Sequence, residues 1–181
     1  DKRVILKKPT LKNGKKSTIL EPIMDAYYPS QVESLWDNIW ESKGFYKPEM
    51  KTDKEPFVMV IPPPNVTGNL HLGHALMCAI EDCITRYQRM KGKNCLWLPG
   101  TDHAGIATQT VVERKLMKAG KSKFDLGRKA FIDEVWKWKN EKGGTICKQI
   151  RKLGCSVDWS REAFTMDKKL NIAVTEAFVR L

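Results

Sequence analysis

No stretch of this chain is apolar for long enough to cross a membrane, and no secretory leader is visible. No two of the five cysteines (Cys78, Cys83, Cys95, Cys147, Cys155) are spaced C-x-x-C, and five is an odd number. That argues against a zinc ribbon or a disulfide framework and for a reducing compartment. No unit recurs at solenoid periods. The first residue is Asp1 rather than Met, which leaves room for an upstream segment, a targeting sequence included. The expected location is cytoplasmic. What is present is 181 residues, 41% of them hydrophobic and six of them tryptophan, enough for one globular domain with a core.

The formal net charge is +11. Residues 1–18 hold seven basic side chains against Asp1 alone, so six of those charges belong to a lysine-rich tail. A basic tail on a basic body suits a polyanion such as RNA. A solvated lysine tail explains the same composition. Residues 1–28 read as an extension or linker, 29–56 as a helix and charged connector, and 57–181 as the beginning of an α/β domain. In the connector's helix Ser30 and Glu33 have capping-box spacing. Val32, Leu35, Trp36, Ile39 and Trp40 form its apolar stripe, and Gly44 ends it.

The rest is arranged around Ile61 to Leu76, I-P-P-P-N-V-T-G-N-L-H-L-G-H-A-L. The short apolar run Phe57–Ile61 before it reads as a buried strand. The pattern Leu72, Leu76, Ala79, Ile80, Cys83, Ile84, Tyr87 after it reads as a helix. A strand, a loop stiffened by three prolines and a helix start make a natural phosphate site. The first helical turn carries unpaired N–H groups and partial positive charge. Gly68 and Gly73 let a ligand approach backbone. His71 and His74, about one turn apart, can both donate to oxygens near the helix start. Two such histidines also occur as plain packing residues, but here the strand, the glycines and the helix all agree.

Cys95–Leu98 reads as a second strand, parallel to the first across the helical crossover. Two strands alone cannot complete a doubly wound sheet. Pro99–Gly105 then leaves the second strand's end, so Asp102 should face the loop at Asn65. Asp102 could hold an ammonium group or cap the next helix, Ile106 to Lys118. Arg86, Arg89, Lys91 and Lys93 gather at the end of the first helix, where cations suit its dipole. Residues 113–129 carry seven bases, from Arg114 to Lys129, which read as a solvated face or a nucleic-acid contact. A long helix is expected over Gly127–Leu153, weakened at Gly143-Gly144. A turn at Asp158–Arg161, a short extended piece at Ala163–Thr165 and a final helix from Thr165 or Asp167 follow.

P-P-P-N-V-T-G-N-L-H-L-G-H-A-L resembles the first signature of the class I aminoacyl-tRNA synthetases, its tetrapeptide being His71-Leu72-Gly73-His74. Pro-Asn-Val-Thr-Gly, G-T-D-H-A-G-I-A-T-Q and V-D-W-S-R-E-A-F-T-M-D are similar to the valine-activating branch of that family. The resemblance runs in order from Tyr28 to Leu181, and the basic extension suits a eukaryotic-like member. It implies the first half of a Rossmann-like parallel sheet with flanking helices. It implies that ATP activates valine, and that the acyl group passes to tRNA(Val). No side-chain nucleophile is needed, and catalysis is positioning plus charge stabilisation. The roles it implies are His71 and His74 as phosphate donors and catalytic groups, and Gly73 as the seat of adenine. Thr67 and Gly68 line the nucleotide loop, Asp102 binds the α-ammonium, and Pro62 and Asn65 flank the amino acid. Magnesium is expected with ATP, and no protein-bound zinc. A monomeric catalytic unit and no membrane partner are expected.

An apolar pocket separates valine from isosteric threonine poorly, valine enzymes being the standing instance, and editing is the usual remedy. The resemblance shows no second KMSKS-type signature, editing domain, second sheet half or anticodon-binding helices in this chain. Residues 1–181 alone are therefore expected not to aminoacylate. Two other classes fit parts of the sequence. One is a metal hydrolase using His71, His74 and Asp102 or His103. The other is a non-catalytic RNA-binding module.

Overall fold

The computed structural model describes residues 5–6, 20–21 and 28–181. The chain divides into two compact units, Asp1–Trp36 and Asp37–Leu181. In the first, β1 (Ile5–Leu6) pairs antiparallel with β2 (Leu20–Glu21). The basic tail's side chains and the Ser30 half of the expected capping box lie outside the described residues. Helix α1 (Pro29–Ser42) stops before Gly44, whose φ of 65° only glycine takes without strain.

The second unit is built on two parallel strands joined by a helix. β3 (Pro56–Val60) and β4 (Asn94–Leu98) pair in parallel from Pro56↔Asn94 to Val60↔Leu98, with α2 (Leu72–Met90) as the crossover. β5 (Gly100–Thr101) follows, then α3 (Gly105–Lys118) and α4 (Lys123–Lys152). A 3-10 turn at Trp159–Arg161 leads to β6 (Ala163–Phe164) and α5 (Lys168–Arg180). β5 and β6 form a second parallel pair, Gly100↔Ala163 and Thr101↔Phe164. A Cβ on Gly100 would lie 2.9 Å from the Ala163 carbonyl oxygen, so only glycine permits this approach.

The core joins Ile61 and Val66 from the signature loop, Cys78 from α2 and Trp97 from β4 to Ile146 and Ile150 of α4. Cys155, Val157 and Phe164 complete it. A smaller cluster of Val112, Leu116 and Phe131 seals α3 against α4. The apolar periodicity on α2 locates the helix, but its face is not the buried one. Leu72, Leu76, Ile80, Ile84 and Tyr87 are exposed, whereas Cys78 and Thr85, on the opposite side, are buried. Val58 and Val60 of β3 are exposed too. Among the described residues β3 pairs with β4 alone.

Two further readings change. The helix over 123–152 breaks at Gly127 (φ 75°, ψ 165°), not at Gly143-Gly144. Gly143 is buried against Val66, where a Cβ would stand 3.9 Å from Val66 Cγ1, and the ladder runs through it unbroken. Arg86 and Arg89 do more than complement the dipole of α2. Asp82 accepts from Arg86 Nε (2.7 Å), the Ser156 amide (3.0 Å) and Ser156 Oγ (2.5 Å). Arg86 donates to Gly154 O (2.8 Å), and Arg89 to Ser156 O (2.7 Å) and Ser156 Oγ. This network ties α2 to the segment entering β6. Asp82→Ala leaves the partly buried Arg86 guanidinium, the Ser156 amide and the Ser156 hydroxyl short of their shared acceptor, and should cost roughly 2–4 kcal/mol. Thermal or urea unfolding of the variant checks it.

Candidate functional site

β3 and β4 end side by side, and each hands over to a loop at its carboxyl end. The Ile61 amide still pairs with Leu98 O (3.0 Å). Beyond it the two loops stay paired: Asp102 N donates to Pro64 O (2.8 Å) and Val66 N to Asp102 O (2.9 Å), a parallel bridge between Asn65 and Asp102. Asp102 thus faces the loop at Asn65, as the strand geometry requires. Pro62 and Asn65 are exposed, while Val66 is fully buried and anchors the turn.

α4 holds this loop from below. Trp138 Nε1 donates to Val66 O (2.9 Å), and Gln149 Oε1 accepts from the Leu70 amide (3.0 Å). Both partners come from more than 70 residues away in sequence. Thr67 and Gly68 are half-buried, and nothing lies within 4 Å of where a Cβ on Gly68 would be. The chain's own packing does not require glycine there.

The two signature histidines are at the start of α2, and they cap it. His71 is the N-cap residue, and its Nδ1 accepts from the Gly73 amide (3.1 Å). His74 Nδ1 accepts from the His71 amide (3.3 Å), closing a reciprocal box. The His74 and Ala75 amides bond to His71 O. The outward-pointing first-turn amides expected from the sequence are therefore largely occupied by His71 itself. The donors are on the rings instead. A neutral imidazole whose Nδ1 accepts carries its proton on Nε2. His71 and His74 each present one Nε2–H, from rings 4.0 Å apart between centroids and inclined at 52°. Burial, and then the neighbouring His71, hold the His74 pKa below its usual value, so the ring is neutral at physiological pH.

This tautomer also bears on metal binding. A metal would need the Nε2 lone pair on both rings, and the capping bonds put the proton there. Among the described residues no three His, Cys, Asp or Glu side chains are grouped to hold a metal ion.

Gly73 has a reason to be glycine that the sequence did not reveal. A Cβ there would lie 3.0 Å from His71 Cε1 and 3.1 Å from Nδ1, so the His71 ring would have to give by a few tenths of an ångström. Gly73→Ala should lower melting by only a few degrees, because one cap is worth about 1 kcal/mol. Any activity that depends on the His71 ring should fall by about threefold to tenfold, since even a shift of this size misplaces the donor. Melting curves and steady-state assays on the same preparation separate the two.

Asp102 neither caps α3 nor stands free. Its Oδ1 accepts from the Ala104 amide (3.1 Å) and from Thr165 Oγ (3.1 Å), with His103 Nδ1 at 3.2 Å. Ala104, in the left-handed region at φ 40°, is the N-cap of α3 and has no side-chain bond to it. Thr165, read from sequence as the end of a short extended piece or a helix start, is therefore part of this cluster, and the final helix is entered from Asp167, the second of the two starts the sequence offers. A cavity of about 280 Å³ lies beside His103, between α3, α4 and β6. None of the residues expected to bind nucleotide or amino acid lines it. Those residues lie along the two strand-end loops and the opening of α2.

The family described as tRNA synthetases class I (I, L, M and V) matches residues 35–181. The chain is 55% identical over 177 residues to a valine–tRNA ligase of Takifugu rubripes, covering 93% of this chain and 14% of that protein. It is 56% identical over 169 residues to the mitochondrial valine–tRNA ligase 1 of Arabidopsis thaliana, covering 93% of this chain and 15% of that one. The chain thus spans about a seventh of the length of these relatives. A solved ternary complex of an Agrobacterium radiobacter LeuRS with tRNA and LeuAMS superposes with a TM-score of 0.71 at 19% identity, over 86% of this chain and 18% of that one. That likeness establishes the α/β fold, a parallel pair of strands with flanking helices. With paired strand ends and a histidine-capped crossover helix already in place, the match over 35–181 settles the family: the chain belongs to the class I tRNA synthetases of the I, L, M and V group.

Proposed function

We propose that this chain carries the first half of the active site of a valine–tRNA ligase, which activates valine with ATP and passes it to tRNA(Val). The observation that carries the reading is the histidine box at the opening of α2. It supplies two neutral Nε2–H donors at the end of the loop whose Asn65 pairs with Asp102. The identity of over half to valine–tRNA ligases of a fish and a plant supports valine over the family's other amino acids.

In this reading magnesium–ATP binds with its phosphates at His71 and His74, its adenine against Gly73, and Thr67 and Gly68 along the nucleotide. Valine lies between Pro62 and Asn65, its ammonium on Asp102. A valine carboxylate oxygen attacks the α-phosphorus, the bond to the bridging oxygen breaks, and pyrophosphate leaves. The two Nε2–H groups stabilise charge building on the phosphate oxygens without changing protonation state. A terminal hydroxyl of tRNA then attacks the acyl carbon, and AMP departs. A reducing, cytoplasm-like compartment and a monomeric catalytic unit belong to the same proposal.

The test is ATP–pyrophosphate exchange by the full-length protein with each amino acid in turn. Valine should give the highest kcat/KM. Exchange driven best by another amino acid overturns the specificity, and no exchange with any overturns the reading.

A further inference from the structure

The β5–β6 register ends with Thr101 opposite Phe164. One step further along lie Asp102 and Thr165, where the Thr165 amide donates to Thr101 O (3.1 Å). Thr165 Oγ is 2.9 Å from the His103 amide nitrogen, 2.7 Å from His103 Nδ1 and 3.1 Å from Asp102 Oδ1. A hydroxyl has one proton and two lone pairs. The His103 amide can only donate, so it takes one lone pair. An ionised Asp102 can only accept, so it takes the proton. The second lone pair is left for His103 Nδ1–H, which fixes that tautomer. All three positions of the Thr165 hydroxyl are then used.

The consequence falls on Asp102. Among the described residues, each of its side-chain contacts is to Oδ1: the Ala104 amide, the Thr165 hydroxyl and His103 Nδ1. Oδ2 has none, and the side chain is 35% exposed. A carboxylate clamped on one oxygen offers the other in a fixed direction. We propose that Thr165, seated by the β5–β6 pairing, is the positioning residue for Asp102. It holds Oδ1 so that Oδ2 is presented to the α-ammonium of the amino acid, and it sets His103 as a second support. This rests on the assignment of Asp102 to the ammonium made above. It adds a residue 63 positions away that touches no substrate.

The experiment is valine-dependent ATP–pyrophosphate exchange by the full-length protein, with two inhibitors. Valinol keeps the ammonium, and 3-methylbutanoate lacks it. Thr165→Val keeps the shape and removes the hydroxyl. It should raise the KM for valine and the Ki for valinol by the same factor, about tenfold, the scale of one hydrogen bond to a charged group. The KM for ATP, the Ki for 3-methylbutanoate and kcat should stay within about twofold. Thr165→Ser should restore the parent values, and Thr165→Val should add nothing to Asp102→Asn. If Thr165→Val does not fold, Thr165→Ala is read in the same way. A rise in both KM values together, no rise for valine, or failure of serine to rescue overturns the inference. If the parent protein shows no exchange with valine, or Asp102→Asn leaves the KM for valine unchanged, it is the underlying reading that fails, whatever Thr165 does.

Discussion

His74→Ala should lower kcat for valine-dependent ATP–pyrophosphate exchange by about a hundred- to a thousandfold, the usual loss of one preorganised donor to a developing oxyanion. The ring does two jobs, and they can be separated. Its Nδ1 accepts the His71 amide and so belongs to the helix cap. Its Nε2–H is free to serve the phosphates. Glutamate at this third helical position can take over the cap, since a carboxylate there reaches back to the N-cap amide and favours the positive end of the helix. His74→Glu should therefore melt at or above the parent temperature. It should be at least as inactive as His74→Ala, because it replaces a donor with a negative charge where phosphate oxygens would lie. A His74→Ala protein that keeps exchange within tenfold of the parent would remove the phosphate role. A His74→Glu protein that melts far below the parent would remove the cap.

The elements that could be read from the sequence are those set by local pattern. β3, α2, β4 and α3 lie within a residue or two of where periodicity and prolines put them. The signature histidines were legible because strand, glycines and helix coincide within sixteen residues. What the sequence hid is what comes from far along the chain. Trp138 and Gln149 of α4 hold the signature loop, Ser156 closes on Asp82, and Thr165 closes on Asp102. None of these has a local signal: a tryptophan on an apolar helix face, a glutamine on a helix and a threonine before a helix are ordinary residues there. Periodicity misled in one place. The stripe on α2 is apolar at helical spacing, yet its residues are exposed, and the buried side is the one bearing Cys78 and Thr85. Period reports that a helix is amphipathic, not which neighbour covers which face. At Gly143-Gly144 composition suggested a kink, whereas the helix runs on with Gly143 buried beside Val66. The break went to Gly127, where a positive φ needs glycine.

The largest effect on amino-acid use should come from Asp102→Asn, with kcat/KM for valine falling about a hundredfold or more, because removing one partner of a partly buried charge pair costs roughly 2–5 kcal/mol. The surroundings make this isosteric change severe. On Oδ1 the Ala104 amide and the Thr165 hydroxyl both donate, so an asparagine must keep its oxygen there and turn its amide nitrogen to the free position. That nitrogen is a donor and would meet an ammonium, which is also only a donor. Flipping the amide to offer the oxygen outward would set its NH2 against the Ala104 amide, so the substitution has no favourable rotamer for substrate. Folding should suffer little, since the orientation good for the chain is the one bad for the ligand. The KM for ATP should change far less than the KM for valine, because in the proposed reading the nucleotide sits at the other loop. Equal losses on both substrates, or a large drop in melting temperature, would show instead that the Asp102 carboxylate serves its bonds to Ala104 and Thr165 rather than the amine. Asp102→Glu should not rescue: its extra methylene carries the carboxylate out of reach of the Ala104 amide, whose bond closes a turn of only two residues.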